Sequence, residues 1–220
     1  MKSRTVRFLN NEEIDKFKSA CTQQYANGEY LYSYGYGFIF LIYTGLRPGE
    51  AINLRWNDID FDKSFLYVKG NRIRVKDRTD NSDSYTTIEQ NTAKTSAGTL
   101  RQIPLNTNAI DALNRLKAVY KQKYGHVPTN FVFSQSNDDP ISYATMMKSY
   151  KKIIIRADID DKGCGVHTLR HTCASLMFNK GIDIKIISEI LGHANVSVTY
   201  NTYVHLVKQQ KVQAMQAIDF

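Results

Sequence analysis

The segment from His167 to His171 combines one cation with two acid–base groups at helical spacing. On a helix, His167, Arg170 and His171 would share one face, because residues three and four apart are neighbours on the helix surface. An arginine beside a histidine suits a phosphate group, whereas two histidines four residues apart also fit a metal site. The simpler alternative is a capped helix start with one buried histidine.

Two further motifs could contribute to the same chemistry. In Leu191-Gly192-His193, the glycine would end a helix and leave the histidine in a turn, and Tyr203 follows ten residues after that histidine. Arg47 stands in a Thr-Gly-Leu-Arg-Pro-Gly-Glu corner, where the following proline disfavours helical dihedral angles. In the simpler alternative, Tyr203 packs its ring in a core and Arg47 caps the carbonyls of the preceding helix.

The elements that must position these residues are mostly helical. Asn10, followed by Glu12 and Glu13, is typical of a helix start. A second helix, about Tyr30 to Thr44, is apolar nearly all round and should be buried, with Gly45 ending it and Pro48 opening the next. Later helices are expected at Asn108 to Lys123, Tyr143 to Ala157, His167 to Asn179, Ile184 to Leu191, and from Ser197 onward. In the helix from Ile184 to Leu191, one buried face would be formed by Ile186, Ile187, Ile190 and Leu191.

Between Phe61 and Leu105 the pattern is that of strands. Phe65 to Val68 is a short apolar run, and the segment from Leu100 to Leu105 is predicted to be the returning strand of a hairpin. Ser96 to Thr99 would form the turn. The polar, turn-rich segment from Asp77 to Gln90 is interpreted as a long loop.

A basic strand precedes that loop. Arg72, Arg74 and Lys76 alternate with apolar residues at period two, which places the three cations on one face of a strand. Such a face could follow a DNA backbone, where contacts fix position without specifying sequence. A solvated strand face is the alternative.

Composition narrows the partners and the compartment. The 220 residues carry a net charge of +8, which favours an anionic partner such as nucleic acid. Three cysteines, an odd number, and no signal peptide favour a reducing, cytoplasmic interior. No membrane is expected, because the most apolar stretch, Tyr36 to Tyr43, is too short to span a bilayer. Without a linker rich in Gly, Pro or Ser, we expect one domain over residues 1–220.

Taken in order, these motifs resemble those of the tyrosine recombinases, the family of phage and transposon integrases. The Arg47 corner comes first, then Lys94-Thr95 before a strand carrying Arg101-x-Ile103-Pro104-Leu105, then His-x-x-Arg-His, and then Leu-Gly-His with its tyrosine. The match runs from about Phe8 to His205. The resemblance implies an α+β, mainly α fold, a helical bundle with a small antiparallel sheet on one side and a C-terminal helix able to pack on a neighbour.

The resemblance also implies cleavage of DNA without metal or cofactor. Tyr203 would attack a phosphodiester, forming a 3′-phosphotyrosyl link and freeing a 5′-hydroxyl. Arg47 and Arg170 match the two arginines that clamp the phosphate and stabilise its charge. Tyr200 is the rival nucleophile, but it lies seven residues after the Leu-Gly-His histidine, outside the family's spacing.

The remaining site residues also come from the resemblance. His167 would help to take the proton of the nucleophile, and His193 would form a hydrogen bond with the phosphate. Lys94 would supply the proton to the departing 5′-oxygen. Glu50 and His171 are expected to support the site, the first by capping its helix or orienting an arginine.

The implied partner is double-stranded DNA at recombination sites, with self-association on DNA as a tetramer. Family members usually carry N-terminal core-binding and arm-binding domains, which we expect to be absent from this chain. The tail beyond His205 would pack on a neighbouring protomer or, alternatively, on its own domain. Other functions that share these features are DNA binding without catalysis, strand relaxation like that of type IB topoisomerases, and a metal site at His167, His171 and His193.

Overall fold

The computed structural model describes residues 6–76, 85–91 and 101–216. Within these ranges the chain is mainly helical and has two small antiparallel sheets, which confirms the α+β, mainly α prediction. No helix in the described ranges is both long and apolar enough to cross a membrane.

The helices of the described chain lie close to their predicted positions. In chain order they are α1 (Asn11–Cys21), α2 (Gly35–Thr44), α3 (Pro48–Asn53), α4 (Thr107–Tyr124), α5 (Tyr143–Arg156), α6 (His167–Asn179), α7 (Ile184–Leu191), α8 (Val196–Thr202) and α9 (Val204–Gln216). The largest difference is at α2, which begins at Gly35 rather than at Tyr30. Tyr30 instead forms an isolated β-bridge with Gln24, and this bridge keeps the residues just before Gly35 out of the helix.

The strands form two separate sheets. They are β1 (Ile59–Asp60), β2 (Phe65–Val68), β3 (Gly70–Lys76), β4 (Tyr85–Asn91) and β5 (Arg101–Pro104). One sheet has the order β1-β2-β5, in which β2 pairs antiparallel with β5. The predicted returning strand therefore forms, and its partner is β2. The predicted turn at Ser96 to Thr99 lies outside the described residues.

The second sheet corrects the prediction of a loop from Asp77 to Gln90. Residues 85–91 form β4, which pairs antiparallel with β3 along its whole length, as in the pair Ile73–Ile88. The sequence signal is weak because the strand is mostly polar, and Ile88 itself is 39% exposed. The strand forms through pairing with β3 rather than through an apolar pattern of its own.

Helix α2 forms the centre of the larger core, as its uniform apolarity predicts. Phe38, Phe40 and Leu41 are buried, and α2 packs on α1, α4 and α6. It ends at Gly45, whose φ of 62° is left-handed. A Cβ at Gly45 would lie 2.9 Å from Leu191 Cδ2, so the end of α2 touches α7 closely. This contact brings the Arg47 corner next to the motifs of the C-terminal half.

A smaller core joins α6 and α7 to Tyr203 and α9. Its buried members are Ala174, Phe178, Ile187, Leu191, Tyr203 and Leu206. The helix predicted from Ser197 onward is interrupted at Tyr203 and forms α8 and α9. Through Leu206, α9 packs on its own domain, whereas Val212 and Met215 further along α9 are 57% and 64% exposed. Packing of the tail on a neighbour stays a prediction.

The predicted apolar face of α7 is only partly correct. Ile187 and Leu191 are fully buried, as the helical spacing of four residues predicts, but Ile186 is 49% exposed. A residue one position before Ile187 lies about 100° around the helix, which turns its side chain away from the smaller core.

These two neighbouring isoleucines provide a matched test of the fold. Ile187→Ala should lower the free energy of unfolding by about 2–5 kcal/mol, because it leaves a cavity in the smaller core. Ile186→Ala should change it by no more than about 0.5 kcal/mol, since the side chain is half-exposed. Urea denaturation measures both values, and equal effects would contradict the packing of α7.

Candidate active site

Three arginines meet at the C-terminal end of α7. Arg170 Nη2 and Arg101 Nη1 both donate to the carbonyl oxygen of Leu191, at 2.7 and 2.9 Å. Arg47 Nη2 donates to the carbonyl oxygen of Gly192 at 2.7 Å. Carbonyls at a helix C-terminus lack helical partners and carry partial negative charge. The end of α7 therefore holds three cations side by side.

Glu50 links two of these arginines and is almost fully buried. Its Oε1 accepts from Arg47 Nη1 at 2.8 Å, and its Oε2 accepts from Arg101 Nη2 at 2.6 Å. Its Oε2 also accepts from the backbone N–H of Arg47 at 2.8 Å, so Glu50 both caps α3 and orients Arg47. Burial raises the pKa of Glu50, but Arg101 and Arg47 outweigh burial and hold that pKa below its usual value.

Arg170 spans the ends of two helices. Besides its bond to the end of α7, Arg170 donates from Nη1 to the carbonyl oxygen of Gly45, at the end of α2, at 2.7 Å. Arg170, rather than Arg47, therefore caps the helix before the corner. Burial, and then repulsion from Arg47, lower the pKa of Arg170 to about 10. Arg170 thus remains charged at neutral pH although its side chain is buried.

Gly192 makes room for this arrangement. As predicted it ends α7, with a left-handed φ of 66°. A Cβ at this position would overlap the Arg101 guanidinium, so the site needs a glycine for its backbone conformation and for its space. The sequence motif included Arg101, but sequence reasoning did not assign Arg101 to the site. Arg101 and Leu191 are 90 residues apart, and no local spacing reports their contact.

Tyr203 stands at the end of α8 and is fully buried. Its hydroxyl is 2.7 Å from Nδ1 of His171, and the rings of His171 and Phe178 pack against it. Burial raises the pKa of Tyr203 above its usual value, although the charge of Arg170 acts in the opposite direction. Tyr200, the rival nucleophile, is 40% exposed on α8.

The other two predicted histidines occupy different environments. His167 is exposed at the start of α6, with its ring edge-on to that of His171 at 5.7 Å. His193 is half-buried in the turn after α7, and its Nδ1 is 2.7 Å from Oγ1 of Thr199. Burial is the main cause that lowers the pKa values of His171 and His193 to about 4. Both imidazoles are therefore neutral at pH 7.

The remaining predicted residues lie elsewhere or outside the described chain. Arg72 extends from β3, donates to Asn53 Oδ1 at 3.1 Å, pairs with Glu89 at 3.4 Å and lies over the ring of Phe131. It therefore has partners within the protein. For Arg74 and Lys76 the structure describes only their place in β3. Lys94 lies outside the described residues.

The geometry gives no support to the metal-site alternative in the described part of the chain. Within it, no group of three His, Cys, Asp or Glu side chains is arranged to hold a metal ion. His171 contacts Tyr203 and His193 contacts Thr199. The charge of Arg170 near both histidines would repel a divalent ion.

The chain is similar to known recombinases and integrases. Residues 7–210 match the phage integrase family. A XerC-like tyrosine recombinase from Caldanaerobacter subterraneus subsp. tengcongensis is 33% identical over 225 residues, covering 97% of this chain and 54% of the relative. The ICEBs1 integrase of Bacillus subtilis is 25% identical over 226 residues, with the same two shares covered. The chain spans about half the length of these relatives.

Solved structures show the same fold. The Tn1549 transposon integrase in complex with circular intermediate DNA has a TM-score of 0.72 and 23% identity, covering 98% of this chain and 68% of that one. The crystal structure of XerA recombinase has a TM-score of 0.68 and 21% identity, covering 97% and 66%. The architecture described above is therefore one that recombinases and integrases share.

A pair of glycines tests whether Gly192 makes room for Arg101. Gly181 has a similar left-handed φ of 74°, but nothing lies within 4 Å of its added Cβ. Gly181→Ala should therefore destabilise the protein by the backbone strain alone, about 1–2 kcal/mol. Gly192→Ala should lose about 1–3 kcal/mol more, because it also displaces a buried, hydrogen-bonded cation. Equal losses in urea denaturation would contradict the close contact of Gly192 with Arg101.

Proposed function

Because the chain belongs to the phage integrase family, we propose that it is the catalytic part of a site-specific tyrosine recombinase that cleaves and rejoins double-stranded DNA. The observation that carries the proposal is the gathering of Arg47, Arg101 and Arg170 at one helix end, next to a buried tyrosine. Such a cluster of cations suits a phosphodiester, which gains negative charge on its oxygens when a nucleophile attacks.

The arginines would hold the scissile phosphate. A guanidinium has five N–H donors, and the contacts of Arg47 and Arg170 with backbone carbonyls leave others for a ligand. Arginine forks can bind two phosphate oxygens at once, which fixes orientation as well as charge. Arg47 and Arg170 would bind the phosphate directly. Glu50, which is also bonded to Arg101, would hold Arg47 in place, and the carbonyls of Gly45 and Leu191 would hold Arg170.

Tyr203 would be the nucleophile. Its Oη would form a bond to phosphorus as the bond from phosphorus to the 5′-oxygen breaks, leaving a 3′-phosphotyrosyl link. A phenol with a pKa of about 10 must lose its proton in this step. In the described conformation, neutral His171 is hydrogen-bonded to the hydroxyl. His167, which the resemblance assigns as the residue that takes this proton, lies against His171. Lys94 would protonate the departing 5′-oxygen.

The described conformation would have to change before the reaction. The Tyr203 side chain has no exposed surface, so its hydroxyl cannot meet a DNA phosphate in this arrangement. Tyr203 lies between α8 and α9, and Tyr203, Leu206 and Val207 are the residues by which this segment packs into the smaller core. We infer that DNA binding moves this segment and releases Tyr203 from His171.

The partner and the assembly belong to the same proposal. The net charge of +8 and the basic strand of Arg72, Arg74 and Lys76 would attract the DNA backbone, so binding should weaken as salt rises. Self-association on DNA, as a tetramer, fits the exposed Val212 and Met215 on α9, which offer apolar surface to a second copy. The reaction would take place on DNA in the cytoplasm.

Covalent capture of DNA tests this function. A pool of duplexes, each nicked next to a randomised sequence, lets the short product strand diffuse away and traps the phosphotyrosyl intermediate. The wild-type chain should retain DNA on a denaturing gel, and Tyr203→Phe should abolish retention because it removes the attacking oxygen. Tyr200→Phe, the matched control, should retain DNA as the wild type does.

The same experiment separates the alternatives. Capture should persist in EDTA, because the proposed reaction uses no metal. Bound DNA without a covalent product from the wild-type chain would indicate a non-catalytic DNA-binding protein, and capture that survives in Tyr203→Phe would exclude Tyr203 as the nucleophile. Relaxation of supercoiled plasmid without strand exchange would favour topoisomerase-like activity.

A further inference from the structure

Thr199 makes a contact with His193 that neither the proposed chemistry nor the sequence motifs require. Thr199 lies in α8 with no exposed surface, and its Oγ1 is 2.7 Å from Nδ1 of His193. Asn195 caps α8 by accepting from the backbone N–H of Val198, which fixes the start of the helix beside the turn that carries His193. The imidazole is therefore held from one side by a buried hydroxyl.

The direction of this hydrogen bond follows from the buried hydroxyl. A threonine hydroxyl has one proton, and a buried proton without an acceptor is unfavourable. Among the hydrogen bonds of the described residues, His193 Nδ1 is the partner of Thr199 Oγ1. If Nδ1 were the donor, the hydroxyl proton would be left without an acceptor in these contacts. The favoured arrangement therefore has Thr199 donating to Nδ1.

The ring on the other side of this bond is neutral. Burial, followed by the charges of Arg170 and Arg47, lowers the pKa of His193 to about 4. A neutral imidazole carries a single N–H, so if Nδ1 accepts a hydrogen bond, the proton is on Nε2. The tautomer of His193 thus depends on the hydroxyl of Thr199.

We propose that Thr199 is a positioning residue that fixes His193 in its Nε2–H tautomer, so that His193 donates a hydrogen bond to the scissile phosphate. The inference rests on the proposed function for its purpose, but the tautomer itself is a property of the protein without DNA. With the opposite tautomer, Nε2 would present a lone pair to a phosphate oxygen, and the interaction would become repulsive.

Nitrogen NMR of the full chain, labelled with ¹⁵N in histidine, tests the tautomer directly. At pH 7 the wild type should show His193 with a protonated Nε2 and an unprotonated Nδ1. Thr199→Val keeps the shape of the side chain and removes the hydroxyl, so its His193 signals should shift towards the mixture of tautomers seen in free imidazole. Thr199→Ser should restore the wild-type pattern.

Thr202 provides a matched control on the same helix. Its Oγ1 donates to the carbonyl oxygen of Val198 at 2.7 Å, so Thr202→Val removes a hydroxyl of α8 without touching His193. The tautomer of His193 should not change in this variant. A wild-type His193 protonated on Nδ1, or no difference between Thr199→Val and wild type, would overturn the proposal.

Covalent capture of DNA gives the functional readout. Removing a donor to the developing charge typically slows such reactions about 100-fold to 1000-fold. Thr199→Val leaves the donor in the molecules that keep the Nε2–H tautomer, so capture should slow in proportion to the fraction lost, by about twofold for an even mixture, and Thr199→Ser should recover the wild-type rate. A slow Thr199→Val with an unchanged tautomer would contradict the positioning role. If the wild type captures no DNA, the proposed function fails while the NMR result still decides the tautomer.

Discussion

The carbonyl oxygens at the C-terminal end of α7 are the feature on which the rest of the site depends. Three guanidinium groups repel one another, and burial makes that repulsion stronger because the local dielectric constant is low. Burial and repulsion between the arginines both lower the pKa of Arg170. Leu191 and Gly192 offset the repulsion with the negative end of a helix, and Glu50 adds a full negative charge between Arg47 and Arg101. Without these partners the three cations would separate.

This constraint ties the site to the packing of the protein. Leu191 contributes its carbonyl oxygen to the arginines and its side chain to the smaller core, so any shift of α7 moves both. Tyr203 belongs to the same core. The proposed nucleophile is therefore also a structural residue while it is bonded to His171, and its release would open space in that core. The stability of this core and the readiness of the tyrosine to react should oppose each other.

The sequence predicted those parts of the site that depend on local signals. Gly45, Pro48 and Gly192 act on the backbone within a few residues, so the corner around Arg47 and the limits of α6 and α7 could be located from the sequence. Contacts between distant segments carry no such signal. The bond of Arg47 to Gly192 joins residues 145 apart, and the bond of His171 to Tyr203 joins residues 32 apart. The roles of Arg101 and Thr199, and the mostly polar strand β4, became visible only in the folded arrangement.

The central claim is that the arginines at the end of α7 form a binding site for a phosphate in its transition state. A crystal structure of the chain soaked in orthovanadate, which mimics that state, tests the claim most directly. We expect a vanadate ion with its oxygens about 2.7–3.2 Å from the guanidinium groups of Arg47 and Arg170 and from Nε2 of His193. Vanadate bound elsewhere in the crystal, with this site empty at saturating concentration, would contradict it.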